Sequence, residues 1–186
     1  MFLKTKTHKC IVILTAIILC LLAPPNSRAE DAMPTYIQAQ LHTSLSEVGH
    51  GMYRKFGFSV YRATLWAGDG AWDPKKPYAL ELRYMRGVSK DTLVGTVMDD
   101  IREQGVADDA TLTKWNAVLT AALPEVEDGD VITGLCMPGK KSLLFYNGKQ
   151  VASIADPVFS KAFFDIWLGK GADEDLRAKL LGHEPG

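Results

Sequence analysis

Cysteine is scarce in this chain, with three in 186 residues. Cys10 and Cys20 lie in the first 23 residues, so the body of the chain holds Cys136 alone and can form no internal disulfide. Set among strand formers in VITGLCMPG, that cysteine reads as a buried, inert thiol. Histidine is equally sparse. His42, His50 and His183 share no i, i+4 spacing and no neighbouring cysteine, so neither a metal site nor any other cofactor is expected. The chain has no G-x-S-x-G elbow, no P-loop and no H-E-x-x-H, and GHGMYR is not G-x-G-x-x-G because Arg54 takes the third glycine's place. There is no basic excess either: the formal net charge is −1. A nucleic-acid partner is therefore not expected. The acidic clusters MDDIRE, EVEDGD and GADEDLR read as solvated helix faces, turns and helix starts.

The first thirty residues do carry a signal. Lys4, Lys6 and Lys9 precede an apolar run from Cys10 to Ala23, stopped by Pro24 and Pro25. At 14 residues the run is short of the roughly 20 that a membrane-spanning helix needs. Ser27-Arg28-Ala29 then offers small residues where a signal peptidase reads. Residues 1–29 are expected to be a secretory signal peptide, which implies a periplasmic or secreted protein with no stable membrane insertion after cleavage. Residues 30–186 are expected to form one domain. Removing 29 of the 186 residues leaves 157, enough to bury a real core. Four of the 21 basic residues leave with the leader and none of the 22 acidic ones, so 17 face 22 in what remains.

Along the body of the chain the hydrophobic period changes twice. YIQAQLHTSLSEVGHG predicts one or two early strands ending at Gly49 and Gly51, and KFGFSVYRATLWA predicts one long strand. GDGAWDPKKP is a loop, and YALELRYMR alternates as a half-buried strand. Two helices follow, from Ser89 to Gly105 and up to Pro124. Three strands come next, VITGLCM, KSLLFY and KQVASI, with Asn147-Gly148 as a hairpin turn. Two further helices run from Asp156 to Gly169 and on to Gly182. Strand blocks and helix blocks segregate, which predicts α+β: an antiparallel sheet with helices on one face.

Within the long predicted strand, Phe56, Phe58 and Val60 are expected on one face with Arg62, and Tyr61, Ala63 and Leu65 on the other. Both faces are apolar, so both are expected to be covered. An arginine there either reaches water along its stem or meets a partner, because an unpaired buried charge is costly. Arg54, Tyr61 and Arg62 are thus candidates to face an apolar pocket and hold a carboxylate or phenolate, with Tyr84 as a further hydroxyl. His50, between two glycines, is either a base or a solvated loop histidine.

Taken in order, GHGMYRKFGFSVYRATLWA, YALELRYMRGVSKDTL, GDVITGLCMPGKKSLLFYNGKQVASI and FSKAFFDIWLGKGADEDLRAKLLG resemble the bacterial exported branch of the chalcone isomerase-like family. The resemblance runs from about Val48 to Gly182. It implies an open-faced β-sandwich, a large antiparallel sheet with a helical layer on one face and a ligand cleft between them. It also implies one of two activities: an intramolecular lyase that closes a chalcone ring, or binding of a fatty acid whose carboxylate meets an arginine and a tyrosine. The enzymes place an arginine two residues after the second glycine. Here that position is Tyr53, and Arg54 comes one place late, on the opposite side of a strand. Tyr61 stands where the catalytic threonine is expected, and SKDTLVGTVMDD supplies neither the tyrosine nor the asparagine of the first helix. Each missing donor of such a site costs on the order of 10²–10³-fold in rate.

The expectation is therefore a protein of this fold without chalcone isomerase activity, binding a small apolar carboxylate or phenolic ligand through Arg54, Tyr61, Arg62 and Tyr84. Phe159, Phe163 and Trp167 would line the cleft or simply pack the core. An isomerase or lyase acting on another phenolic or enone substrate, and a non-catalytic structural or interaction module of the envelope, are the alternatives.

Overall fold

The computed structural model describes residues 32–183. The predicted signal peptide lies outside the described residues. Residues Asp31–Gly186 form one compact unit. Among the described residues, every strand and both apolar clusters lie within it, so it holds the core on which its folding depends.

After a short helix α1 (Thr35–Gln38), the chain builds a six-stranded antiparallel meander of β1 (Ser46–Lys55), β2 (Phe58–Ala67), β3 (Tyr78–Tyr84), β4 (Val131–Met137), β5 (Lys141–Tyr146) and β6 (Lys149–Ile154). Helices α2 (Lys90–Glu103) and α3 (Asp109–Ala122) fill the connection from β3 to β4, and α4 (Pro157–Leu168) and α5 (Glu174–Leu180) follow β6. This is the expected α+β arrangement, with the four longer helices on one face. Ser89, Asp108, Asp156 and Asp173 each accept a backbone N–H at a helix start, satisfying a donor that would otherwise be unpaired.

Side-chain alternation sends Ala63, Leu65, Leu80, Leu82, Ile132 and Leu144 into one large core with the helices. Trp66, Ala79, Leu135, Leu143 and Phe145 point the other way and meet Ile37 and Leu45 in a smaller cluster. Both faces of β2 are therefore covered, the second by the segment around α1. That segment was expected as strand. Its Pro34 start and Ile37 anchor instead make one helical turn, and β1 runs straight through Gly49 and Gly51. Cys136 is buried, as its setting suggested.

The glycine pair has a packing role. A Cβ on Gly49 would stand 2.1 Å from the Lys179 carbonyl oxygen, and one on Gly51 would stand 2.7 Å from Leu176 Cδ1. Both glycines let α5 lie directly against the β1 backbone. His50, between them, is on the strand and exposed, with Nδ1 2.6 Å from Glu47 Oε1. Gly49→Ala is expected to push α5 away and lower stability by about 2 kcal/mol, read by urea denaturation.

The long strand expected over Lys55–Ala67 is broken at its start by a two-residue hairpin. Lys55 pairs with Phe58, and both Phe56 (φ 52) and Gly57 (φ 81) are left-handed. The Asn147-Gly148 turn has the same pattern, with φ of 47 and 79. Asparagine tolerates that region, whereas a bulky side chain is strained there. Phe56 is 88% exposed, so its ring gains almost no burial in return. Phe56→Asn is expected to raise stability by about 1 kcal/mol in thermal or urea unfolding.

Candidate functional site

Helix α2 makes its main contacts with α3 and α4 rather than with the sheet. Between α2 and the sheet lies a cleft of about 1280 Å³. Tyr78 and Tyr84, at the two ends of β3, both line it. Leu93 and Val97 contribute from α2, Trp167 and Leu168 from α4, and Leu176 from α5.

The floor on the β1–β3 side is a row of tyrosines set by strand register. Tyr53 pairs with Tyr61 and Tyr61 with Tyr84. The Tyr53 and Tyr61 rings stack at 5.0 Å, and Tyr61 meets Tyr84 edge-on at 5.7 Å. Trp167 Nε1 donates to Tyr61 Oη at 2.9 Å, tying α4 to the sheet across the cleft. Burial raises the pKa of both Tyr61 and Tyr84 well above that of an exposed phenol, and the Trp167 hydrogen bond only partly offsets this at Tyr61. Both hydroxyls therefore stay protonated at physiological pH and offer neutral donors, not a phenolate base. The Trp72 indole N–H, also on a lining residue, is buried and finds no acceptor among the described residues.

Charge is confined to the rim. Among the basic lining residues, Lys55, Arg86, Lys161 and Lys170 are exposed and Arg177 is half-buried, its Nε donating to the Leu168 carbonyl at 2.9 Å. Lys161 is already paired with Asp165. The acid closest to burial is Asp100, whose pKa is raised by desolvation and by Glu103, against the pull of Lys55.

Of the four residues singled out in the sequence, the structure brings Tyr61 and Tyr84 together in the cleft and leaves the two arginines outside it. Arg62 alternates with Ala63 and lies on the opposite face, in register with Arg83 and next to the Thr64–Glu81 pair. There Glu81 is nearly buried: desolvation raises its pKa, and Arg83 and Arg62 pull it down. Arg54 is exposed and absent from the lining. It alternates with Tyr53 and Lys55 along β1, which puts it on the other side of that strand. On β2, Tyr53 and Arg54 face Tyr61 and Ser59 and leave Val60 as an extra residue. That bulge puts Phe58 and Val60 on the cleft side with Tyr61 and turns Ser59 away. Strict alternation had grouped Phe58 and Val60 with Arg62, and the bulge is what separates them. Of the three aromatic residues expected on α4, Trp167 lines the cleft, while Phe159 and Phe163 belong to the core.

Sequence reasoning passed over Tyr53, Lys55, Trp72 and Arg86. Tyr53 was the most accessible of these, since it shares the parity of Gly49 and Gly51. Lys55 shares that parity at the end of β1, while Trp72 and Arg86 sit in loops where no period operates.

Together these features define an α+β domain in which a curved antiparallel sheet and a helical layer enclose an apolar, hydroxyl-lined cleft. A family model described as chalcone isomerase-like matches residues 29–182, and the chain belongs to that family. The crystal structure of a fatty-acid binding protein from Arabidopsis thaliana shares the fold, with a TM-score of 0.59 at 14% identity, covering 76% of this chain and 89% of that one. Comparison with curated proteins by sequence finds no match.

Tyr61→Phe removes the acceptor of a buried indole N–H. It is expected to lower stability by about 1–2 kcal/mol, with Tyr84→Phe closer to neutral, measured by urea unfolding.

Proposed function

We propose that this protein is exported and binds a small apolar acid, such as a fatty acid, in the sheet–helix cleft, without catalysing chalcone isomerisation. The carrying observation is the cleft itself: about 1280 Å³, floored by Tyr53, Tyr61 and Tyr84, with its lysines and arginines at the rim. An ionised carboxylate buried against neutral tyrosines would lack a counter-charge, at a cost of several kcal/mol. The apolar chain therefore lies along β3 over the tyrosines, and the carboxylate stays at the rim near Lys55, Arg86 or Lys170. The cleft's volume and apolar lining suit an acyl chain. Binding by the Arabidopsis fold relative lends support, as does export implied by the leader.

The same floor supports the reading without isomerase chemistry: Tyr53 occupies the position where the resemblance calls for an arginine. The buried phenols hold their protons too tightly to serve as bases.

Residues 31–186 are expected to bind a fluorescent fatty-acid probe at micromolar concentration and to carry an acyl ligand in native mass spectrometry when made in a bacterial host. Thr96 lines the cleft from α2 and is exposed. Thr96→Trp fills the space without disturbing the core and is expected to weaken the probe by about tenfold or more. A chalcone incubated with the protein at neutral pH is expected to lose absorbance no faster than in buffer. No probe binding and no bound acyl chain would remove the proposal.

A further inference from the structure

One end of the cleft opens beside the β1–β2 hairpin, and the surface there is unusual. Phe56 is 88% exposed and Phe58 64%, with Met85 (47%) and Val106 (48%) close to the same end of the sheet and of α2. These four are most of the large apolar side chains exposed among the described residues, Val158 being the other. Phe56, Phe58 and Val106 also line the cleft. Isolated exposed apolar residues need no explanation, but an aromatic cluster around the mouth of an apolar cavity does. Phe56 strengthens the case. It holds a left-handed conformation at φ 52, where asparagine or glycine would sit without strain, and its ring packs into nothing that offsets this.

The hairpin itself carries charge of one sign: Arg54 and Lys55 precede Phe56, and residues 51–67 contain no acidic residue, while Arg62 and Arg83 stand with Glu81 on the other face of the sheet. Arg54 and Lys55 are exposed beside Phe56, and the Arg86 guanidinium sits 5.2 Å from the Phe58 ring centroid. The acids Asp100 and Glu103 line the same cleft from α2, and Asp100 lies within electrostatic reach of Lys55. Protruding aromatic rings ringed by arginine and lysine are the chemistry that enters the headgroup region of an anionic bilayer, the rings at the acyl boundary and the cations among the phosphates.

We infer that the Phe56–Gly57 hairpin tip docks the protein onto an anionic lipid surface, so that an apolar ligand passes between the bilayer and the cleft without crossing water. The inference rests on the proposed ligand reading only for what passes through the mouth. Docking itself is a property of the tip and is tested without ligand.

Residues 31–186, free of added fatty acid, are to be centrifuged with phosphatidylcholine vesicles with and without phosphatidylglycerol. The protein is expected to sediment with the anionic vesicles, about tenfold or more above its partition onto pure phosphatidylcholine, and to be released as salt is raised. Phe56→Asn combined with Phe58→Thr is expected to abolish sedimentation while the protein melts at or above the wild-type temperature, which separates lost docking from lost folding. Arg54 lies outside the cleft, so Arg54→Glu is expected to weaken vesicle binding while leaving the fatty-acid probe's affinity in solution unchanged. Wild type and the double variant partitioning alike, whether both bound or both free, would overturn the inference. So would a Phe56-dependent dimer on size exclusion with no vesicle binding. Vesicle binding without probe binding would keep the docking tip and remove the ligand reading.

Discussion

Helix α2 has its closest backbone neighbours in α3 and α4 rather than in the strands, and the cleft lies between it and the sheet. An amphipathic helix over a sheet ordinarily closes down until its apolar stripe meets the strands. Here Leu93 and Val97 turn toward the sheet, while the helix is held by α3 and α4, including a hydrogen bond from Gln104 Nε2 to the Ala162 carbonyl at 2.8 Å. α4 is in turn fixed from several sides. Trp115 Nε1 donates to its capping residue Asp156, Ser142 Oγ donates to Ser160 Oγ, and Phe164 lies where a side chain on Gly134 would be. With α4 pinned against β4 and β5, α2 is carried above β1–β3, and the tyrosine row faces the cleft between them.

The polar content of that cleft follows a consistent electrostatic pattern. Neutral hydroxyls and indoles occupy the interior, where an ion would be poorly solvated, and cations stand where water can reach them. The one deeply set charge cluster, Arg62 with Glu81 and Arg83, has been moved to the other face of the sheet. There opposite charges lie on adjacent strands and the carboxylate's burial is partly compensated. Membership of the family says little about chemistry by itself, since a fold hosts many functions.

Much of the fold was legible in local patterns. The two-residue period of YALELRY, the 3.6 period of the four long helices and the Asn147-Gly148 turn each carry their own physical cause, and each stands where it was expected. The site was only half legible. Tyr61 and Tyr84 were identified by parity, but parity fails wherever a strand gains a residue. Val60 is such a residue, and it reverses the assignment of Phe58. The Phe56-Gly57 turn escaped for a related reason: phenylalanine in the left-handed region is rare enough that a run of strand formers hides it.

What the amino-acid order determined unaided is the set of elements and the class of fold, because periodicity, caps and turn residues act within a few positions of one another. The identity of the cleft-facing residues was decided by tertiary structure. Strand register, a bulge and the height of α2 depend on contacts between segments as distant as Tyr61 and Trp167, and those contacts leave no mark on either neighbourhood in the chain.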